Sequence, residues 1–360
     1  MELNEYMQQG IGSIAATLSN FYLADEKGRE FLLSFAAELQ NSAQIRTEYE
    51  KSGRHIPPFL IASIASQCNL HCAGCYARAD GMCAESHAKN EMSADDWKRV
   101  FKEASELGVS FILLAGGEPL LRREIIKIAA DFSNILFPIF TNGTLLDEHY
   151  LDLLDKRRNL VPVFSIEGDS LQTDLRRGCG VSSSVENAMN RLSERGVLFA
   201  ASVTVTTENL NLVVTDSFIS QLRAGGCGAV FFVEYVPAEK GTENLVLSNV
   251  QADWLNEQTA VFKANYTDMS IFAFPGDEKY MGGCLAAGRG FFHISPFGSA
   301  EACPFSPYSK MNLKDSSILE ILESPFFQEI REISKKGTKS HSGGCTLFSY
   351  ESDVKQLLLK

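Results

Sequence analysis

The sequence has no uninterrupted run of eighteen apolar residues and no long block of lysines and arginines. The first absence argues against a membrane-spanning helix. The second, with a formal net charge of −12, argues against broad electrostatic binding to nucleic acid or to an anionic membrane. Internal repeats and low-complexity tracts are also missing. We therefore expect a folded protein whose partners are polypeptides or small molecules, with no nucleic acid and no membrane among them.

Lysine and arginine are absent from the first 26 residues, so the basic start of a signal peptide is missing. The nine cysteines are an odd number and lie in clusters, which is not typical of a disulfide framework. Both features predict a cytoplasmic location. With 360 residues, of which 45% are hydrophobic, the chain can bury a large core without disulfide bonds.

Three segments of the chain differ in their patterns. Residues 1–56 have apolar residues at helical spacing before a Pro-Pro break, which indicates an N-terminal helical segment that serves for packing. Residues 57–240 alternate short apolar runs with helical patterns. Residues 241–360 carry glycine-rich turns and widely spaced cysteines, and we expect a smaller module of a β-hairpin and helices there.

Short apolar runs between Phe59 and Val236 suit strands that are buried on both faces of a sheet. They read FLIASIAS, SFILLAGG, ILFPIFTNG, VPVFSIEG, LFAASVTV and AVFFVEYV. Helical patterns separate them, and in one of these Ser93 can cap the start and Gly108 the end. The alternation predicts an α/β fold, a partial (β/α)6 TIM-like barrel of parallel strands that is open rather than closed. Ligands should then bind at the carboxyl ends of the strands.

The stretch CNLHCAGCY directly follows the first predicted strand. Its Cys68, Cys72 and Cys75 are separated by three and two residues. Three thiolates at this spacing can curl around one cubane iron–sulfur cluster and leave its fourth iron without a protein ligand. The spacing also allows a zinc ion held by these cysteines and His71, because a Cys3His set is a known structural zinc site.

The cysteine stretch resembles the CxxxCxxC signature of the radical S-adenosylmethionine (SAM) enzymes. The stretch AGGEPLL, after the second strand, matches their GGEP motif through Gly116, Gly117, Glu118 and Pro119. The resemblance implies that the three cysteines hold a [4Fe-4S] cluster whose open iron binds SAM. We expect the two glycines to let the backbone approach the ligand closely and the carboxylate to lie near the ammonium group of SAM.

The same resemblance implies further cofactor-binding residues at the ends of later strands. FTNG ends the third strand and contributes Thr141 and Asn142, and FSIEG ends the fourth and contributes Ser165 and Glu167 near the ribose of SAM. DLRRG contributes Arg177, which is expected to pair with the SAM carboxylate.

The residue before the third cysteine departs from the family pattern. It is often aromatic in the family, but it is Gly74 here, and Tyr76 stands just after the cysteine. We count Tyr76 among the candidate cofactor-binding residues, and the departure concerns only the packing of adenine against the loop.

A second group of cysteines lies in the last segment. Cys284 and Cys303 are separated by eighteen residues that include Gly298, and this resembles the opening of the SPASM and twitch extensions, which hold auxiliary iron–sulfur clusters. A β-hairpin with Gly298 at its turn would bring the two cysteines together, and Cys345 is the candidate third ligand. The further cysteines of a full SPASM domain are missing, so a twitch-like module with one auxiliary cluster fits better. Its fourth ligand is left open among His341, a distant cysteine and the substrate, and the alternative is three ordinary buried thiols.

The other cysteines are interpreted as ordinary core or loop thiols, and four histidines as structural because their spacing suggests no metal site or triad. These residues are Cys83, Cys179 and Cys227, and His55, His87, His149 and His293.

We predict a radical SAM enzyme in which an external low-potential electron donor reduces the cluster and a 5′-deoxyadenosyl radical removes a substrate hydrogen atom. A peptide or protein is the expected substrate, because relatives with such modules often modify peptides. One alternative is the oxidation or rearrangement of a small molecule. An alternative of another class is a non-catalytic iron–sulfur or zinc protein, although a carrier has no need for GGEP and a regulator should show a basic recognition helix.

Overall fold

The computed structural model of the protein describes residues 3–23, 25–84, 90–275, 283–335 and 345–360. Its framework is a single sheet of nine strands. In chain order they are β1 (Phe59–Ala65), β2 (Phe111–Gly116), β3 (Phe137–Thr141), β4 (Leu160–Ile166), β5 (Phe199–Val205), β6 (Cys227–Glu234), β7 (Ser270–Phe274), β8 (His293–Ile294) and β9 (Ala300–Glu301).

Strands β1 to β7 lie side by side in chain order, and all neighbouring pairs among them are parallel. On the other side of β1 lies β8, also parallel, and then the antiparallel β9. Since β7 and β9 are the two edges, the sheet is open, which confirms the predicted α/β fold with a mostly parallel, partial barrel. The six predicted strands correspond to β1–β6. The structure adds β7, which continues the alternation past residue 240, where the sequence predicted a separate module to begin.

The helices between successive strands cover the outer face of the sheet, where side chains of β1 such as Leu60 and Ile64 share one buried core with Trp97 and Phe101. None of the described helices is long and apolar enough to cross a membrane. The helices are α1 (Leu3–Tyr22), α2 (Glu26–Lys51), α3 (Tyr76–Ala79), α4 (Ala94–Glu106), α5 (Arg123–Ala130), α6 (Glu148–Lys156), α7 (Ser170–Arg177), α8 (Val181–Glu194), α9 (Leu210–Val213), α10 (Asp216–Ala224), α11 (Asn249–Asn265), α12 (Ile318–Glu323), α13 (Pro325–Ser334), α14 (Thr346–Ser349) and α15 (Glu351–Leu357).

Helix α4 begins and ends as its sequence predicted. The Ser93 hydroxyl accepts a hydrogen bond from the Asp96 amide, and the Asp96 carboxylate accepts one from the Ser93 amide. Gly108 follows the last turn with a φ of 79°, a left-handed conformation that glycine adopts at little cost.

The opposite face of the sheet forms the interior of the barrel. In a parallel sheet, paired residues on neighbouring strands present their side chains to the same face. The register pairs Ser165 with Ser202, Ser202 with Phe231, and Phe231 with Phe272. The ring centroids of Phe140 on β3 and Phe231 on β6 lie 5.5 Å apart. Because these strands would be about 14 Å apart in a flat sheet, the sheet must curve towards this face.

Helices α1 and α2 close the amino end of the barrel. Tyr22 and Phe35 from these helices share a buried cluster with residues at the starts of the strands, including Phe111 and Val161. The hydroxyl groups of Thr17 and Ser270, the first residue of β7, lie 2.7 Å apart. One pair of helices therefore contacts the starts of strands from both halves of the sheet.

The β8–β9 hairpin lies between Cys284 and Cys303, as the sequence predicted. Gly298 is in its turn with a φ of 89°, and a Cβ atom at this position would lie 2.5 Å from the Asn312 side-chain oxygen. Strand β8 has only two residues, but it pairs with β1 at Ile61. The hairpin is therefore anchored on the strand that leads into the first cysteine loop.

Candidate active site at the carboxyl ends of the strands

The loop after β1 carries Cys68, Cys72 and Cys75, and all three side chains are partly buried. Arg78, on the one-turn helix α3 that begins after Cys75, reaches back over this loop. It donates hydrogen bonds to the Leu70 carbonyl at 2.7 Å and to the Cys68 carbonyl at 3.3 Å. The guanidinium group therefore satisfies carbonyl groups inside the curve of the loop. The sequence analysis did not identify Arg78. The only indication in the sequence was its position shortly after the last cysteine of the loop.

The GGEP motif packs directly against the start of the cysteine loop. The Gly117 amide donates to the Ala65 carbonyl at 2.7 Å, and the Glu118 amide donates to the Gln67 carbonyl at 2.8 Å. A Cβ atom at Gly116 would lie 2.4 Å from the Ala65 oxygen, and one at Gly117 would lie 2.1 Å from the Gln67 oxygen. The expected close approach of backbone to ligand stays a prediction, and in the structure these glycines allow the end of β2 to touch the backbone of the loop.

The Glu118 side chain joins the ends of β2 and β3. One carboxylate oxygen accepts from the Leu120 amide at 3.0 Å and from the Thr141 hydroxyl at 2.7 Å, and the other accepts from the Asn142 amide at 2.8 Å. Pro119 is the first residue of the short turn that follows Glu118. Burial raises the pKa of Glu118, and these hydrogen bonds oppose that rise. About one acceptor position of the carboxylate remains for another donor.

Asn142 lies beside the first cysteine of the loop. Its side-chain amide donates to the Asn69 side-chain oxygen at 3.0 Å and lies 3.9 Å from the Cys68 sulfur. Its own oxygen accepts from the Thr144 amide at 3.0 Å. The end of β3 therefore places a hydrogen-bond donor next to a thiol, and such donors tune the potential of iron–sulfur clusters.

Two arginines meet one buried carboxylate at the end of β4. One oxygen of Glu167, a residue with 2% exposure, accepts from Arg176 at 2.7 Å and from Arg177 at 2.5 Å. The other oxygen has no hydrogen-bond partner among the described residues. Arg177, expected to pair with a SAM carboxylate, is thus paired with Glu167, and the sequence did not identify Arg176. The two arginines and the one glutamate together leave a net positive charge near Cys72. Ser165, on the same strand, lies partly exposed on the inner face.

The segment after β6 supports the other side of the cysteine loop. The Gly74 amide donates to the Glu239 carboxylate at 2.8 Å, and a Cβ atom at Gly74 would lie 2.4 Å from the Tyr235 hydroxyl. Tyr235 therefore occupies the space that a side chain at this position would need, which explains why glycine stands there. The Tyr76 ring contacts Phe305 in the last segment of the chain, with 5.2 Å between centroids.

Burial controls the protonation of the loop thiols. It raises the pKa of Cys68 to about 12. Burial also raises the pKa of Cys72, although the positive charges of Arg177 and Arg176 oppose the rise. In the metal-free loop these two thiols are protonated at neutral pH, so metal binding must displace their protons.

Cys284, Cys303 and Cys345 come from three separate segments and all are buried, and the first and third both act on the protonation of Cys303. A hydrogen bond with Cys345, burial and the charge of Cys284 raise the pKa of Cys303 well above its usual range. The candidate fourth ligand His341 lies outside the described residues. Within the described ranges, no three His, Cys, Asp or Glu side chains are grouped as ligands of one metal ion. That observation concerns single ions, because in a cubane cluster each thiolate binds its own iron.

The remaining cysteines lie in different surroundings. Cys227 is a core thiol that donates to the Ala229 carbonyl at 3.1 Å. Cys83 is buried beside α3, and Cys179 is exposed between α7 and α8.

The inner face carries a buried polar chain around His293, a residue that the sequence analysis interpreted as structural. The Nε2 atom of His293 lies 2.7 Å from the Ser63 hydroxyl, and its Nδ1 atom lies 2.7 Å from the Glu301 carboxylate. The charges of this group affect the pKa of Asp80, which lies at the end of α3. Partial desolvation raises the pKa of Asp80 to about 6, the charges of Glu301 and Glu351 add to the rise, and His293 opposes it.

Comparison with known families agrees with this geometry. The family model of the radical SAM superfamily matches residues 63–214. These residues form a radical SAM domain. The matched range contains the first cysteine loop, the GGEP motif and the ends of the strands up to β5.

Similar proteins act on different classes of molecule. A probable GTP 3′,8-cyclase of Methanococcus maripaludis is 30% identical over 199 residues, which are 53% of this chain and 62% of that protein. The chain thus spans less than two thirds of this relative. PqqA peptide cyclase of Rhizobium meliloti is 26% identical over 300 residues, or 77% of each chain. The crystal structure of Streptococcus suis SuiB bound to precursor peptide SuiA has a TM-score of 0.65 at 19% identity and covers 85% of this chain and 74% of that chain. This likeness shows a shared fold.

The radical SAM domain implies a [4Fe-4S] cluster and SAM, and the residues present fit both. Three thiols on one loop supply the usual cysteine ligands of such a cluster and leave one iron open. At the same end of the sheet, the unpartnered oxygen of Glu167 and the positive charge of the two arginines can receive hydroxyl and carboxylate groups.

Proposed function

We propose that the protein is a radical SAM enzyme that modifies a peptide or a protein. When bound, the reduced cluster supplies the electron that splits SAM into methionine and a 5′-deoxyadenosyl radical, which takes a hydrogen atom from the substrate. One observation carries the proposal: three thiols share a loop whose backbone is fixed by GGEP, within a radical SAM domain.

In this proposal Cys68, Cys72 and Cys75 ligate the cluster, and the residues around them hold the loop in shape. Arg78 fixes the carbonyl groups inside the curve, and Glu118 holds the ends of β2 and β3 together. A loop whose contacts are already formed loses little conformational entropy when it binds its ligands.

In this proposal, polar groups at the same end of the sheet bind SAM. The remaining acceptor position of Glu118 suits the ammonium group, and the charge of Arg176 and Arg177 suits the carboxylate. Ser165 and the free oxygen of Glu167 suit the ribose hydroxyl groups, because both can accept a hydrogen bond from them.

The wall of the barrel below these groups is aromatic. Phe140, Phe231 and Phe272 are partly exposed to the interior, and their rings contact one another in sequence. They carry no polar atom and exclude water from their surroundings, which protects a reactive species from side reactions.

We assign an auxiliary iron–sulfur cluster to Cys284, Cys303 and Cys345. Their convergence from three segments supports this assignment, and so does the likeness in arrangement of Cys345 before α14 and Cys75 before α3. The fourth ligand is a residue outside these three, such as His341, or the substrate. An external low-potential electron donor is required to start the reaction.

The preference for a peptide substrate rests on the similarity to PqqA peptide cyclase, which extends over 77% of both chains, and on the fold shared with SuiB. A second candidate is the oxidation or rearrangement of a small molecule. It is favoured by the 30% identity with the probable GTP 3′,8-cyclase.

The first experiment tests the radical SAM chemistry. The protein is reconstituted anaerobically with iron and sulfide, reduced and given SAM, and 5′-deoxyadenosine is quantified. We expect formation in the wild type and loss in a variant with Cys68, Cys72 and Cys75 all changed to alanine. The matched control is Cys179→Ala, which removes an exposed thiol that is not among the proposed ligands and should keep the activity. A wild type with a full cluster but no deoxyadenosine, with or without cell extract as a source of substrate, would refute the proposal.

The second experiment separates the two substrate classes. A cell extract of the source organism is divided by ultrafiltration, and each fraction is added to the reduced enzyme with SAM. Stimulation of deoxyadenosine formation by the retained fraction, abolished by prior protease digestion, is the result expected for a peptide or protein. Stimulation by the filtrate that survives protease would support the small-molecule candidate instead.

A further inference from the structure

The Tyr76 side chain stands between the two groups of cysteines. Tyr76 directly follows Cys75 in the chain, and its ring contacts the ring of Phe305, which stands two residues after Cys303. The ring centroids are 5.2 Å apart and the planes are inclined by 63°. This edge-to-face contact is a direct side-chain link between the first loop and the segment that carries the second group.

Both rings are fixed by turns that begin at a cysteine. On one side, the Ala79 amide donates to the Cys75 carbonyl at 3.0 Å, which closes the turn of α3 that holds Tyr76. On the other side, the Ser306 amide donates to the Cys303 carbonyl at 2.9 Å, which closes the turn that holds Phe305. The position of each ring is therefore coupled to the position of the neighbouring thiol.

Tyr76 is held by contacts on both sides. Its carbonyl accepts a hydrogen bond from the Asp80 amide at 2.9 Å within the turn of α3, and its ring contacts Phe305. The sequence predicted that Tyr76 would bind the cofactor. That stays a prediction, and the ring also contacts the last segment of the chain.

We propose that the contact between Tyr76 and Phe305 is the electronic bridge between the two iron–sulfur sites. This inference rests on the proposed function, because it requires a cluster at each group of cysteines. An electron crosses more readily through covalent bonds and tight contacts than across open gaps. Here the path runs along one peptide bond from Cys75 to Tyr76, across the ring contact, and along two peptide bonds from Phe305 to Cys303.

The exchange is balanced without further reactants. The site that gives up the electron is oxidised by one unit, and the site that receives it is reduced by one unit. No bond is made or broken, and no proton moves, because the rings mediate the transfer and keep their own electrons.

The test uses the reconstituted full-length protein without SAM or substrate. Iron and sulfide analysis first establishes whether clusters are present at both sites. A photochemical reductant then delivers less than one electron per protein, and rapid freezing at successive times followed by electron paramagnetic resonance shows how the electron redistributes between the two clusters.

Three variants are compared with the wild type. Tyr76→Leu and Phe305→Leu each remove one ring of the contact, and Tyr76→Phe keeps the ring and removes the hydroxyl group. The spectrum of each reduced cluster serves as a control for damage to the cluster itself. A role in packing alone would leave the rate of redistribution unchanged wherever these spectra are unchanged.

We expect loss of rapid redistribution in both leucine variants and wild-type behaviour in Tyr76→Phe. Wild-type redistribution in either leucine variant would overturn the bridge, as would slow redistribution in Tyr76→Phe. If Tyr76→Leu loses its first cluster, Phe305→Leu decides alone. If the wild type contains iron for only one cluster, both the bridge and the auxiliary cluster are overturned. If it contains two clusters and the variants exchange electrons at the wild-type rate, only the bridge is overturned.

Discussion

The Ser63 hydroxyl and the His293 ring, separated by 230 positions in the chain, lie 2.7 Å apart in the interior of the barrel. His293 in turn holds the Glu301 carboxylate, so the three side chains form a hydrogen-bonded chain across β1, β8 and β9. Ser63 and His293 are fully buried, and Glu301 is 7% exposed. This chain fastens the hairpin that precedes Cys303 to the strand that leads to Cys68.

Replacing the central member of this chain should destabilise the protein. His293→Leu leaves the buried Glu301 carboxylate and the Ser63 hydroxyl without their partner, and we expect the free energy of unfolding to fall by roughly 1–3 kcal/mol. Urea unfolding of the metal-free protein measures the change. The control is His149→Leu at an exposed helix position, which should stay within about 0.5 kcal/mol of the wild type. Equal stability of His293→Leu and the wild type would contradict this reading.

The contact between GGEP and the cysteine loop predicts that one methyl group is enough to disturb the cluster site. A Cβ atom at Gly117 would lie 2.1 Å from the Gln67 carbonyl oxygen, which is backbone and cannot rotate away. Gly117→Ala should therefore bind less iron on reconstitution and melt at a lower temperature. In contrast, Gly12→Ala in α1 meets open space and should be stabilising by up to about 1 kcal/mol. Full iron content in Gly117→Ala would show that the loop does not depend on this contact.

Asp80 predicts a specific pH dependence of stability in the metal-free protein. Its pKa of about 6 in the folded state lies above the ordinary value of 3.8, so the folded protein holds this proton more tightly than the unfolded chain. The contribution of Asp80 to the free energy of unfolding therefore falls as the pH rises from about 4 to above 6. Asp80→Asn should match the wild type near pH 4 and exceed its stability near pH 7, as measured by urea unfolding at each pH.

An aspartate with the opposite shift provides the control. The Asp174 carboxylate accepts hydrogen bonds from the Ser182 and Gly180 amides, which lower its pKa. Its contribution is therefore present at neutral pH and lost in acid, so Asp174→Asn should be less stable than the wild type near pH 7. The same sign of effect in both variants would refute the assignment.

The arginine pair at Glu167 predicts an order of effects on the Cys72 thiol. Arg177 lowers the pKa of Cys72 more than Arg176 does, and Glu167 raises it. In metal-free protein, Arg177→Met should raise this pKa more than Arg176→Met, and Glu167→Gln should lower it. The pH dependence of alkylation, read at Cys72 by peptide mass spectrometry, measures each value. A larger effect of Arg176→Met than of Arg177→Met would contradict this order.

The sequence predicted the inner part of the sheet well, because β1–β6 are nearly continuous apolar runs. It missed β7 and the place of β8, because their apolar runs are short or formed by two residues only. These strands form because they pair with β6 and β1, respectively. A pairing between residues that are far apart in the chain cannot be recognised from the local sequence.

In the candidate site, too, the residues with a local sequence pattern were predicted and the contacts between distant segments were not. The cysteines and GGEP carry their spacing in the sequence, and their order along the sheet follows from the alternation of strands and helices. The partners of Glu167, the role of Tyr235 opposite Gly74, and the direction of the Tyr76 ring depend on which loops meet at the carboxyl end of the sheet. Those contacts join residues that are far apart in the chain, so no spacing rule predicts them.

The closure of the barrel by α1 also constrains the order in which the protein can fold during synthesis. The hydroxyl groups of Ser13 and Thr17 contact Ser270, which lies 257 and 253 positions later in the chain. Helix α1 is therefore made long before this partner leaves the ribosome, and until then the two hydroxyl groups lack the contact with Ser270. Contacts of such high sequence separation slow folding and favour aggregation of intermediates. The barrel can accordingly be closed by α1 on its last parallel strand only after β7 has been made.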